Sequence, residues 1–285
     1  MIIWLASYPK SGNTWVRSLL SAYLYSKDGI FNFDLLNKIR QFPSKEYFEF
    51  FLKKDQFYDV KKISEYWIAA QDRINLMNEG VTFLKTHSAL CALENNPFTN
   101  KINTKAAIYI VRDPRNLVTS FAHHYSMNID ETYNYIINEK KMLTESDFSA
   151  EDRGVASVLG SWSKHYESWT KIKFAPILVV KYEDLLMDPD NEFAKIVKFL
   201  SSILNIEFNK NIITEAIKTS SFDNLKKLEK SGLFGESVAD TKLVNKKDFF
   251  YLGPKNDWKK LLDNKISKEI EQKFQNEMKE LKYLG

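Results

Sequence analysis

At 285 residues the chain is near the upper size for one hydrophobic core, and 44% apolar with 27% charged residues is the make-up of a globular protein, not a disordered one. A formal net charge of +4, with acids and bases interspersed, gives no indication of a nucleic-acid-binding stripe and fits a local basic pocket for a small polyanion better. The single cysteine, Cys91, excludes an intrachain disulfide and any multi-cysteine zinc site. No apolar run approaches the ~18 residues that a bilayer span needs, and the apolar start at residues 2–6 is too short for a signal core, so a soluble, cytoplasmic protein is expected.

Apolar runs at residues 2–6, 81–84, 106–111 and 177–180 read as strands, and helical periodicity lies between them at 14–25, 116–125, 155–171 and 191–204. Strands alternating with helices predict an α/β fold, a parallel sheet covered by helices on both faces, with ligands at the carboxyl ends of the strands. Two stretches break the alternation. Residues 27–80 are rich in aromatics (among them Phe31, Phe33, Phe42, Phe48, Phe51, Tyr66 and Trp67) and are expected to form a helical insertion, either lining a pocket or packing as core. Residues 228–256 are polar, with Gly232, Gly235 and Gly253, and read as a long surface loop of the kind that forms lids; residues 265–281 read as a closing amphipathic helix.

Three motifs fall at strand ends. Ser7-Tyr8-Pro9-Lys10-Ser11-Gly12-Asn13-Thr14-Trp15 is a strand-to-helix turn. Such a turn aims backbone N–H groups at one spot beside the positive end of a helix, a cradle for phosphate or sulfate, and Lys10 adds a full charge. Gly12 lets the backbone approach an anion with no Cβ in the way. The alternative is an ordinary turn with a surface lysine. A Walker A loop carries its lysine after its last glycine, whereas Lys10 precedes Gly12 and no glycine lies upstream. Phe83-Leu84-Lys85-Thr86-His87 sets a lysine and a histidine two residues apart, on one face of a strand end; His87 is either a base or a histidine satisfying that end. Ile108-Tyr109-Ile110-Val111-Arg112-Asp113-Pro114-Arg115-Asn116 is another strand-to-helix turn, in which Arg112 and Ser120 would converge on a second anion, or Asp113 would simply cap the helix beside a surface arginine.

Residues 8–15 closely resemble the 5′-phosphosulfate loop of the sulfotransferases that use 3′-phosphoadenosine 5′-phosphosulfate (PAPS), whose commoner form has threonine at the place of Asn13. Lys85-Thr86-His87 is similar to that family's catalytic motif, with Ser88-Ala89 where members often carry Leu-Pro, and Arg112 with Ser120 resembles its 3′-phosphate motif. Gly160-Ser161-Trp162 resembles a family helix on which His165 is expected to pack in the core; Tyr182-Glu183-Asp184 follows a strand as the family's Tyr-Glu-Asp does, and Ser220-Ser221-Phe222 resembles its Thr-Ser-Phe. Gly253-Pro254-Lys255-Asn256-Asp257-Trp258-Lys259 looks like the C-terminal Arg-Lys-Gly-x-x-Gly-Asp-Trp-Lys, except that Tyr251-Leu252 replaces the Arg-Lys pair, for which Lys255, Lys246 or Lys247 would have to substitute. The resemblance is to a cytosolic-type, bacterial-like member and runs from about residue 2 to residue 259.

The resemblance implies a P-loop-like sheet in one sulfotransferase domain over residues 1–285, moving a sulfuryl group from PAPS to an acceptor hydroxyl or amine and releasing 3′,5′-adenosine bisphosphate (PAP), with no metal. It gives His87 as the base, Lys10 on the bridging oxygen, Lys85 on the transferring group, Ser11, Gly12, Asn13 and Thr14 around the 5′-phosphate, and Arg112 and Ser120 on the 3′-phosphate. Trp15, Tyr182, Ser220, Phe222 and Gly253 fall on the nucleotide side, while His123 and His124 are structural or pocket-lining. The acceptor would be a small molecule, glycan or lipid, with no nucleic acid as partner, and the oligomeric state stays open. The rivals are a P-loop phosphotransferase or kinase, which would need ATP with magnesium, and a catalytically silent nucleotide-binding homologue.

Overall fold

Strand β1 (Ile2–Ser7) has every residue buried, as expected of a strand covered on both faces. The computed structural model describes residues 1–144, 154–231, 234 and 248–284. Around β1 the sheet is completed by β2 (Arg40–Gln41), β3 (Thr82–Thr86), β4 (Thr104–Val111) and β5 (Ile177–Lys181), in the order β2-β3-β1-β4-β5. Helices between and after these strands include α1 (Asn13–Tyr25), α2 (Trp67–Met77), α3 (Pro114–Tyr125), α4 (Trp162–Thr170) and α5 (Phe222–Lys230). The fold is therefore α/β, a central parallel sheet flanked by helices with helical insertions. Among the described residues no helix is long and apolar enough to cross a membrane.

β1 pairs in parallel with β3, from Ile2 opposite Thr82 to Ala6 opposite Thr86, and with β4, ending at Ser7 opposite Ile110. Parallel register brings all three carboxyl ends to one edge, and the chain leaves β1 between neighbours on either side, the switch point at which such sheets bind ligands. The chain divides into two compact units, Met1–Pro9 with Ile39–Ile110 and Ile137–Val179, and Lys10–Lys38 with Val111–Ile136 and Val180–Gly285. The last residue of β4 and the last two of β5 count with the second unit.

In the first unit Trp4 organises the core. Its Nε1 donates to Thr104 Oγ1 at 3.0 Å, and its ring meets Phe98 at 5.4 Å, Phe42 at 5.6 Å and Trp169 of α4 at 6.2 Å. Trp67 of α2 reaches the same cluster through Phe98 at 5.4 Å, and Gln71 donates to the Phe98 carbonyl. Burying each such ring contributes roughly 1.5–3 kcal/mol. Phe42, Phe48, Phe57 and Trp67 are buried, so much of the aromatic stretch in residues 27–80 is core; Tyr47, Phe50, Phe51, Tyr58 and Tyr66 keep some exposure.

The second unit is held by charge as well as burial. Asp113 caps α3 by accepting from Arg115 N at 2.9 Å, with Pro114 in the first turn, as the sequence predicts. The Arg115 side chain, 6% exposed, pairs with Asp113 at 2.6 Å, bonds Glu271 and the Tyr283 carbonyl, and lies 4.0 Å from the Trp258 ring. Glu183 accepts from Asp113 N at 3.0 Å and from the Tyr283 hydroxyl at 2.9 Å. The C-terminal segment is tied to α3 as well, Asn256 donating to the Asn116 carbonyl at 2.7 Å and accepting from Thr119.

Three boundaries differ from the sequence reading. The helix expected over residues 155–171 starts at Trp162, because Gly160 takes a φ of +69° and Ser161 then caps the helix, while Ser157–Val158 pairs antiparallel with Met142–Leu143. The closing helix of residues 265–281 is two helices, Asn264–Lys273 and Gln275–Glu280, broken at buried Phe274. Edge strand β2 is two polar residues long and carries no apolar signal. Of the loop at 228–256, α5 takes up the start and Gly253–Lys255 forms a short 3₁₀ turn; Gly232, Gly235, Lys246 and Lys247 lie outside the described residues.

Arg115→Ala strands the Asp113 carboxylate in a buried place, and the protein is expected to lose about 3–5 kcal/mol in urea unfolding, against under 1 kcal/mol for the exposed control Lys171→Ala.

Candidate active site

His87 directly follows β3 in the first unit. Its Nδ1 stands 2.8 Å from the Ser7 carbonyl oxygen and 3.3 Å from Ser7 Oγ. A carbonyl only accepts, so Nδ1 carries the proton, and in the neutral ring the basic nitrogen is then Nε2. That is the tautomer a general base at Nε2 requires. Lys85 is buried at 9% exposure, and its backbone carbonyl accepts from Phe42 N at 2.8 Å across β2 and β3.

Behind His87, on α4, lies His165 with no exposed surface. Its Nε2 is 3.1 Å from the His87 carbonyl and must donate, which leaves Nδ1 to accept from the Tyr109 hydroxyl at 2.8 Å. Burial pushes its pKa down to about 4, so the ring is neutral at physiological pH.

The turn before α1 belongs to the second unit. Lys10 has a φ of +68° and Gly12, the N-cap of α1, a φ of +99°. A Cβ at residue 12 would stand 2.5 Å from Tyr182 Cδ2, so the close approach as well as the dihedral requires glycine. Arg112 Nη1 donates to the Lys10 carbonyl at 3.1 Å, and its guanidinium lies 4.3 Å from the Tyr182 ring. Tyr182 also meets Trp15 edge-on at 5.8 Å. Asn13 and Thr14 are buried at the start of α1, whose first turn holds no acid.

Among the described residues, Ser11 Oγ, Trp15 Nε1, Arg112 Nε and Ser220 Oγ are buried without a hydrogen-bond partner. Each such group costs about 1–3 kcal/mol, and native proteins keep few of them. Ser11 and Trp15 flank the N-terminus of α1, and Arg112 reaches the Lys10 carbonyl just before it, an arrangement that could hold an anion.

Ser120 is half-buried on α3, and Phe222 opens α5 with its ring packed so closely on Gly253, at a φ of +52°, that a Cβ there would meet it. Glu183, one residue past Tyr182, has its carboxyl pKa raised by burial, against the pull of Arg112. At the departure from the family pattern, Tyr251 stacks flat on His123, with centroids 3.7 Å apart and an 8° interplanar angle, and its carbonyl accepts from Lys226. His123 is thus packed against the substituted position, and Lys255 is exposed. The sequence did not disclose that Phe249 lies under the Lys10 ammonium, 4.0 Å from Nζ to the ring centre, with the His124 ring 5.5 Å from it on another side. The only hint was an adjacent phenylalanine pair, Phe249-Phe250, at the end of a polar stretch.

The sequence model of the family described as sulfotransferase domain matches residues 2–282. Flavonol 4′-sulfotransferase of Flaveria chlorifolia is 26% identical over 275 residues, covering 94% of this chain and 76% of its own length. Luciferin sulfotransferase of Photinus pyralis is 27% identical over 227 residues, covering 78% of this chain and 56% of its own length. In structure, the chain is similar to retinol dehydratase in complex with androsterone and PAP, with a TM-score of 0.61 at 17% identity over 98% of this chain and 80% of that one. It is similar also to mouse SULT7A1 complexed with PAP, with a TM-score of 0.56 at 21% identity over 97% and 83%. At those identities the structural likeness speaks for the fold, and none of these findings supports a bacterial-like cast.

The His165 pKa carries a stability consequence. A histidine titrating at about 4 when folded and 6.5 when unfolded binds more protons in the unfolded chain between those values. Its contribution is complete above pH 6.5 and is lost as pH falls to 4, a change of about 3 kcal/mol. Urea unfolding of His165→Gln across this window is expected to show a flatter dependence on pH than wild type.

Proposed function

The chain belongs to the sulfotransferase domain family, and on that premise we propose that it transfers a sulfuryl group from PAPS to an acceptor hydroxyl, or an amine, with His87 as general base. The observation that carries this reading is the turn at residues 10–12, with two left-handed residues before a helix and buried Ser11 Oγ and Arg112 Nε lacking protein partners among the described residues. The two similar structures, each a complex with PAP, support the choice of ligand. Reading both units as one sulfotransferase domain over residues 1–285 is part of the proposal, supported by the family match from residue 2 to 282. A cytoplasmic setting goes with it.

PAPS, when bound, supplies a sulfuryl group whose bond to the 5′-phosphate oxygen breaks as the acceptor oxygen attacks. His87 Nε2 takes the acceptor proton, held at that task by the Nδ1–H bond to Ser7. The Lys10 ammonium stabilises the charge that builds on the departing bridging oxygen, and Lys85 neutralises the transferring group. The backbone of residues 11–14 holds the 5′-phosphate at the N-terminus of α1, with the Thr14 hydroxyl as a further donor. Arg112 and Ser120 take the 3′-phosphate, and Trp15, Tyr182, Ser220, Phe222 and Gly253 border the nucleoside. The acceptor is a small molecule, glycan or lipid.

Calorimetry with PAP tests the reading, and no heat with soundly folded protein overturns it. Arg112→Ala is expected to weaken PAP by about 10- to 100-fold and 5′-adenylate by less than about threefold, since charged hydrogen bonds contribute about 1.5–3 kcal/mol. His87→Ala is expected to cut turnover of labelled PAPS by about 10²–10⁴-fold and leave PAP affinity within about twofold.

A further inference from the structure

We propose that His165 is a positioning residue for His87, acting as a hydrogen-bonded clamp on the backbone that follows β3. The proposal rests on the reading of His87 as the base, and it gives a task to a side chain that the sequence assigned to core packing.

Helix α4 touches the chain after β3 at three polar points. His165 Nε2 donates to the His87 carbonyl at 3.1 Å, Trp169 Nε1 donates to the Ser88 carbonyl at 2.9 Å, and Ser168 Oγ accepts from Leu90 N at 3.0 Å. Backbone groups of residues 87, 88 and 90 are thus bonded by side chains of residues 165, 168 and 169, which lie within about one helical turn. This is the stretch where Ser88-Ala89 stands in place of the Leu-Pro that the family resemblance leads one to expect. A proline would fix φ covalently. Here hydrogen bonds from α4 hold the turn instead.

His165 is the member of this clamp that specifies geometry. An apolar residue would fill its space, yet both ring nitrogens are engaged, with the Tyr109 hydroxyl of β4 donating to Nδ1 at 2.8 Å. Tyr8 sets its ring edge-on to the imidazole at 5.5 Å and 81°, so the ring plane is fixed from a second side. Because Tyr109 donates to Nδ1, Nε2 is kept as the donor, and the His87 carbonyl has one position in which to accept. The chain of bonds then runs from Tyr109 through His165 to the His87 backbone, and from the His87 ring to Ser7. His87 is held by its backbone from α4 and by its Nδ1 from β1.

The experiment compares His165→Gln, His165→Leu and Tyr109→Phe in the full chain. Histidine ¹⁵N–¹H spectra, recorded with no nucleotide or acceptor, report the tautomers; PAP calorimetry and steady-state transfer follow. Wild type is expected to show His165 protonated at Nε2 and His87 at Nδ1. Glutamine keeps an N–H at the place of Nε2 and is expected to preserve the His87 signals, with kcat within about threefold. Leucine is expected to mix the His87 tautomers and to lower kcat by about a hundredfold, with acceptor KM and PAP affinity within about twofold, the size of loss that a small misplacement of a reacting group produces. If the leucine variant does not fold, Tyr109→Phe serves in its place, with displaced His87 nitrogen signals as the expected result. His87 signals unmoved in the folded leucine or phenylalanine variant overturn the clamp, and so does a loss of kcat that glutamine shares in full. Wild type that gives no heat with PAP overturns the functional reading alone, and the clamp is then judged on the tautomers.

Discussion

The parallel pairing of β1 with β3 on one side and β4 on the other is the constraint on which the rest of the molecule depends. Six buried residues make β1 the most enclosed strand of the sheet, and their apolar burial fixes its place. Once Ala6 lies opposite Thr86 and Ser7 opposite Ile110, the ends of three strands distant in sequence share an edge. The carbonyl of Ser7 can then orient the ring of His87, a bond that no local structure would supply. A one-residue slip in this register would turn the strand-end side chains to the opposite face.

The second unit follows a different economy. It retains buried charges, satisfies most of them within a tight network and leaves a few polar atoms open. Arg115, Asp113, Glu183 and Tyr283 bond one another, joining the α3 cap, the helix after β5 and the C-terminus. Around Lys10 the backbone is left-handed at a residue with a Cβ, a conformation that costs of order 1–3 kcal/mol, and Arg112 braces it through the Lys10 carbonyl. Strain, orphaned polar atoms and a brace thus meet around one turn, and together they support the anion cradle of the proposed function.

The four longer strands were legible because each is an apolar run bounded by turn residues, and the turn before α1 was legible because glycine, lysine and small polar residues mark a strand-to-helix junction. Boundaries fared less well where a single residue decided them. The start of α4 depends on Gly160 adopting a left-handed φ, and the break in the C-terminal helices depends on how Phe274 is buried, which periodicity does not record. Edge strand β2 depends on backbone pairing alone. In the candidate site, the partners of His165, the stack of Tyr251 on His123 and the seat of Lys10 on Phe249 are contacts between distant segments. Helical spacing says that residue 165 faces inward; it cannot say that both ring nitrogens find bonds there.

The contact of Phe249 with the Lys10 ammonium has an energetic consequence. A cation resting on an aromatic face is stabilised by about 0.5–2 kcal/mol, and any anion that draws it away gives up that amount of its own affinity. The ring therefore acts as a resident competitor, always present at unit stoichiometry. On the proposed reading of Lys10, one kilocalorie of such competition weakens the hold on a bound anion about fivefold.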